Sequence, residues 1–89
     1  MKLNPNIEKE VILDNKREQL IEAEFGIMAL TGKISGNVKD ILYLEDINKR
    51  KENISKIKEN LGELFVEMMR MSDALRLNFD EIIKEKISQ

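Results

Sequence analysis

An all-α fold is what this chain predicts, and three observations carry the prediction. Apolar residues recur by threes and fours along most of the sequence, the period of a helix face and not of a strand. The single proline, Pro5, stands near the start, so no later helix is interrupted by one. Charged residues make up 36% and hydrophobic residues 42%, the balance of helices with solvated outer faces. Eighty-nine residues form one small domain, and a chain this short buries only about 60–65% of its unfolded surface alone. Self-association is therefore expected.

Asn4-Pro5 reads as a helix start, because asparagine accepts from an orphan amide and proline tolerates the first helical position. Apolar residues are sparse through Ile7, Val11 and Leu13, and Asp14 to Gln19 is wholly polar, which predicts fraying or a break near Asn15. Residues 1–19 are thus a lead-in and residues 20–89 the helical domain. The dense run begins at Leu20: Ile21, Phe25, Met28 and Ala29 recur at helical spacing, and Ile27 and Leu30 widen the stripe, predicting a helix buried on several sides. Gly26, Gly32 and Gly36 interrupt it, each costing roughly 0.5–1 kcal/mol relative to alanine. One account is a turn at Thr31-Gly32. The favoured one is close approach of a neighbouring helix to the small surface of Ala29, Gly32, Ser35 and Gly36, because Ile34, Val38, Ile41 and Leu42 continue the helical stripe.

Leu44 to Glu52 has no apolar period and reads as a loop or a helix start. The next helix has the cleanest pattern, with Ile54, Ile57, Leu61, Leu64, Phe65, Met68, Met71 and Leu75 stepping by threes and fours as a core stripe. The methionines Met68, Met69 and Met71 suit a subunit interface as readily as a monomer core. Arg76-Leu77 closes that helix. Asn78, with Glu81 three residues on, caps another, with Leu77 and Ile82 at staple positions and Phe79, Ile82, Ile83 and Ile87 expected to be buried. The predicted core or oligomer interface is Ile21, Phe25, Met28, Leu61, Leu64, Phe65, Met68 and Met71.

Composition removes several functions. Fifteen basic against seventeen acidic residues give a net charge of −2, with no basic field to hold a phosphate backbone, so nucleic acid is not an expected partner. The absence of cysteine and histidine excludes disulfides, zinc-thiolate sites and the commonest general base, leaving carboxylates and lysines for any chemistry. No stretch approaches the ~20 apolar residues of a membrane span, and the N-terminus leads into charged sequence, so a cytoplasmic location and no membrane partner are expected.

Asn60-Leu61-Gly62-Glu63-Leu64-Phe65, continuing without a break through Asn78-Phe79-Asp80-Glu81 to Ile87, resembles the second metal-binding helix and closing helix of the MazG-like nucleoside triphosphate pyrophosphohydrolases. Gly26-Ile27-Met28-Ala29-Leu30-Thr31-Gly32-Lys33 resembles the first. Together they cover nearly all of residues 20–87. The resemblance implies an all-α, MazG-like four-helix bundle, oligomeric as a homodimer or tetramer, in which Glu-x-x-Glu on one helix faces Glu-x-x-Asp on another around Mg²⁺ and a triphosphate. Residues three apart share a helix face, which is why that spacing serves the purpose.

In this register the four metal-ligand positions are Leu30, Lys33, Asn60 and Glu63, and only Glu63 is a carboxylate. Leucine cannot coordinate, asparagine offers a neutral carbonyl and lysine puts a cation where the family holds one. The site is degenerate, no catalytic residue is expected, and no cofactor is expected. Lys33 and Glu63 are placed to pair across the helix interface, with Asn60 hydrogen-bonding nearby; the alternative is that Lys33 extends to solvent. The reading that follows is a catalytically inactive binding or regulatory protein, a pseudoenzyme, whose partner is a protein or a nucleotide held without turnover. Small size and Ile-, Lys- and Asn-rich usage fit a phage or mobile-element origin. One alternative is an active enzyme that uses Glu24, Glu63 and Glu67 with Mg²⁺ or Mn²⁺ to cleave a (d)NTP into (d)NMP and pyrophosphate. The other is a helical assembly module with no nucleotide role.

Overall fold

The computed structural model describes residues 16–89, so the expected helix start at Asn4-Pro5 and break near Asn15 lie outside the described residues. Within them the chain is all-α: α1 (Arg17–Tyr43), α2 (Ile47–Ala74) and α3 (Phe79–Ile87), with no strand among the described residues. α1 and α2 form an antiparallel hairpin, since Lys16 meets Asp73 and Glu22 meets Arg70 at one end while Asn37 meets Asn53 towards the other. The predicted connection from Leu44 to Glu52 shrinks to Leu44-Glu45-Asp46. Asp46 starts α2 early by accepting from the backbone amides of Asn48 (2.9 Å) and Lys49 (3.4 Å), which satisfies two orphan donors of the first turn.

α1 runs unbroken through all three of its glycines, so the turn reading at Thr31-Gly32 is not realised. The close-approach reading is corrected as well. A Cβ built on Gly32 or Gly36 would meet nothing within 4 Å. Gly26 is the glycine that needs its missing side chain, because a Cβ there would stand 2.9 Å from Glu67 Oε2 and 3.0 Å from Glu67 Cγ.

The seam between the long helices is a heptad-like ladder. α1 contributes Leu20, Ala23, Ile27, Leu30, Ile34, Asn37 and Ile41; α2 contributes Asn53, Ile57, Asn60, Leu64, Glu67, Met71 and Ala74, all buried or half-buried. Leu64, Met68 and Met71 are all half-buried. Ile21, Phe25, Met28, Leu61 and Phe65, the other positions read as core or oligomer interface, are exposed in the single chain, as is Ile54. The apolar stripe seen in the sequence merges two faces, one turned to the partner helix and one turned away. The only buried apolar side chains among the described residues are Ala23, Leu30 and Ala74, and the described residues span 55 × 31 × 16 Å, the last about the thickness of one helical layer.

α2 ends with Arg76 at φ 58°, where Leu77 N–H donates to Ser72 O (2.8 Å) and Arg76 N–H to Asp73 O (3.0 Å), a Schellman closure with arginine in the left-handed position usually given to glycine. Asn78 caps α3 as predicted, its Oδ1 accepting from Glu81 N–H at 3.1 Å. Phe79 packs edge-on against Phe65 with ring centroids 5.0 Å apart, which docks α3 on α2. Only part of the expected burial on α3 is found. Phe79 and Ile83 are half-buried, whereas Ile82 and Ile87 are exposed, because a nine-residue helix resting on one neighbour covers a single side.

Candidate functional site

One side of the hairpin carries an open groove of about 990 Å³. α1 lines it with Gly26, Ala29, Leu30 and Lys33, and α2 with Ser55, Lys58, Glu59, Gly62, Glu63, Val66 and Glu67. Glycine and alanine leave the space: Gly62, like Gly32, has nothing within 4 Å of its Cβ position. The groove is apolar along Ala29, Leu30 and Val66 and carries both charge signs, with Lys33 and Lys58 against Glu59, Glu63 and Glu67.

Three of the four sequence-derived ligand positions, Leu30, Lys33 and Glu63, line this groove. Leu30 is buried in the seam, while Lys33 and Glu63 are exposed and form no ion pair within 4.0 Å among the described residues. The expected Lys33–Glu63 pair is thus replaced by two solvated charges, which avoids the cost of dehydrating either. Asn60 lies in the seam and lines a smaller neighbouring pocket together with Lys33, Asn37 and Asp40. Its Nδ2 donates to Asn37 Oδ1 at 3.1 Å, Asn37 Nδ2 donates to Asn53 Oδ1 at 3.1 Å, and Asn53 Nδ2 donates to Lys49 O at 2.9 Å. This chain of amides satisfies polar groups that the seam would otherwise strand. Asn37 and Asn53 escaped the sequence reading, although each interrupts an apolar three-four period, which is the signal of a polar layer within a helix pair.

At the α3-proximal end of the hairpin, Arg70 gathers two carboxylates: its Nη2 donates to Glu22 Oε2 at 3.0 Å and its Nη1 to Glu67 Oε1 at 3.1 Å. The hydrogen bond to Glu22, then that to Glu67, holds the guanidinium more firmly protonated than usual. Gln19 Nε2 donates to Arg70 O (2.8 Å) and to Asp73 Oδ2 (2.9 Å), and Lys16 Nζ reaches the same oxygen at 2.9 Å. Asp73 is accordingly held below the ordinary carboxylate range, first by Gln19 and then by Lys16.

Of the alternative metal set, Glu63 and Glu67 line the groove and Glu24 does not; Glu67 is committed to Arg70. No group of three or more acidic side chains close enough to hold a metal ion occurs among the described residues. None of the helices in the described residues is long and apolar enough to cross a membrane. No family model, curated protein or solved structure matches the chain.

Proposed function

We propose that the chain is a MazG-like helical protein with a degenerate metal site, acting as a homo-oligomeric binding or regulatory protein without pyrophosphohydrolase activity. The observation that carries this reading is the shared groove. Leu30, Lys33 and Glu63, positions matched to metal ligands in the family, line one cavity built from both long helices. Their chemistry is wrong for Mg²⁺, because a leucine and an ammonium group stand where two hard oxygen donors are required. The groove suits a ligand with apolar surface and charges of both signs, such as a protein segment or a nucleotide held by Lys33 and Lys58 without turnover.

The test has two arms. A screen of common NTPs and dNTPs with Mg²⁺ and Mn²⁺ should give no pyrophosphate above background; metal-dependent release abolished by Glu24→Gln would establish the enzyme reading in its place. The combined change Leu30→Glu, Lys33→Glu, Asn60→Glu and Glu63→Asp should create an acidic cluster whose repulsion a divalent cation relieves, so that Mg²⁺ raises its melting temperature while the parent responds little. A quadruple variant that folds but ignores metal would show that these positions do not form the family's site.

A further inference from the structure

We propose that two copies of this chain associate through the face of the hairpin opposite the groove, giving a two-layer bundle of four long helices with a groove on each outer surface. This rests on the homo-oligomeric part of the reading above and names the surface responsible. The two faces follow from the seam. Glu22 and Gly26 of α1 meet Arg70 and Glu67 of α2 across one side, the side of the groove. In an antiparallel pair, the positions that follow the seam residues on each helix therefore lie towards the other side, Lys58 after Ile57 being the one that lines the groove.

That second side is apolar on both helices. α1 places Ile21, Met28 and Val38 there, and α2 places Ile54, Leu61 and Phe65, each between 40% and 62% exposed. At about 200 Å² for a large apolar residue, these six leave on the order of 600 Å² in water per copy. Leu42 and Ile47, more than 60% exposed at the hairpin's tip, bring the patch to about the 800 Å² per partner of a standard stable interface. Monomers seldom expose so much contiguous apolar surface.

A second copy is the occupant the observations favour. No large side chain is fully buried among the described residues, and the hairpin is one layer thick. Stable domains bury the apolar face of such a layer against another layer. The face is built of two helices, is bordered by α3 at Phe65 and includes Glu24 beside its apolar residues, and the chain's net charge of −2 sets up little repulsion between copies. Two such faces meet at the shallow crossing angle of helical bundles without requiring a cavity or a complementary charge on the partner.

Sedimentation or light scattering at micromolar concentration should give twice the 10.4 kDa chain mass. Met28→Glu with Leu61→Glu, two positions exposed in the single chain, should weaken the dimer at least a hundredfold and give the monomer mass with helical circular dichroism retained. Val66→Glu, equally exposed but on the groove side, should leave the dimer intact. Because the chain has no cysteine, single Leu61→Cys and Val66→Cys variants give an independent reading should the double variant unfold. A short bismaleimide should couple two copies through Leu61→Cys and leave Val66→Cys uncoupled. A monomeric parent, or a dimer broken by Val66→Glu and not by the double variant, overturns the proposal. A dimer that does turn over a nucleotide would instead overturn the inactive reading and leave this interface standing.

Discussion

The two halves of the α1–α2 seam are held by different means. The half next to α3 is closed by two alanines, Ala23 and Ala74, at most 1% exposed, with Leu30 6% exposed beyond them and the charges of Lys16, Glu22, Arg70 and Asp73 arranged around the edge. The half next to the Leu44–Asp46 turn places the amide chain of Asn37, Asn53 and Asn60 among isoleucines. Close approach fixes the first half, because alanine leaves no slack between backbones. Matching of donors and acceptors fixes the second, because a slip of the helices strands an amide. Each half should therefore fail in its own way.

The largest effect is expected where packing is tightest. Ala23→Leu inserts three carbons at a position with no exposed surface and should destabilise the chain by about 1–3 kcal/mol or more, read as a lower urea midpoint with an unchanged m-value. Leucine at Asn37, in the roomier half, should cost less through volume than through its amides. If Ala23→Leu proves neutral, the seam is looser at that end than its burial implies.

Next in size is the amide chain itself. Asn53→Leu removes the acceptor of Asn37 and should cost about 1–3 kcal/mol, the range for a stranded polar group. Changing Asn37, Asn53 and Asn60 together to apolar residues removes all the stranded partners and should recover most of that loss. The recovered variant should then populate more than one helix alignment or assembly state, visible as extra amide resonances or as multiple masses. A triple variant that is stable and also unique would show that the amides contribute no register.

A sharper contrast lies between glycines on the same helix. Gly32→Ala fills open space and should stabilise by roughly 0.5–1 kcal/mol, the ordinary helix-propensity gain. At Gly26 the same gain is opposed, because the new methyl must displace the Glu67 carboxylate that also binds Arg70. The net change there should lie near zero, and the difference between the two variants in thermal unfolding is the quantity to measure.

Much of this architecture was legible in advance, and what was missed has a common cause. Periodicity located α2 and α3, and the Asn78 cap was plain because its chemistry is local. The division of Leu61 and Phe65 from Leu64 and Met71 was not legible, since a helix used on two sides presents one broad stripe to a one-dimensional reading. The same limit hid the asparagine chain: Asn37 and Asn53 declare their polarity in sequence but not their distance from each other. In the candidate site, the alignment with family positions brought Leu30, Lys33 and Glu63 to one groove, whereas nothing in the sequence marked Lys58 or Val66 as their neighbours. Sequence spacing along one helix predicts a shared face; which residues of a second helix stand opposite depends on the turn between them, here the three residues Leu44-Glu45-Asp46 that end where Asp46 caps α2.

The smallest expected effect concerns pH and belongs to the alanine-closed half alone. Asp73 has its folded pKa lowered by Gln19 and then by Lys16, so the unfolded chain binds its proton more readily than the folded one. The stability it supplies is therefore fully present above the unfolded value of about 3.9 and is lost as pH falls through the lower folded value. The carboxylate is exposed, and solvent screening keeps the contribution slight. Asp73→Asn should lower the melting temperature slightly at neutral pH and converge with the parent in strong acid. Because the leading cause is a hydrogen bond from a neutral amide, raising the salt concentration should shrink the difference only in part. A difference that vanishes in salt would assign Asp73 to Lys16, and the closed end of the hairpin would then depend on ion pairing more than its geometry indicates.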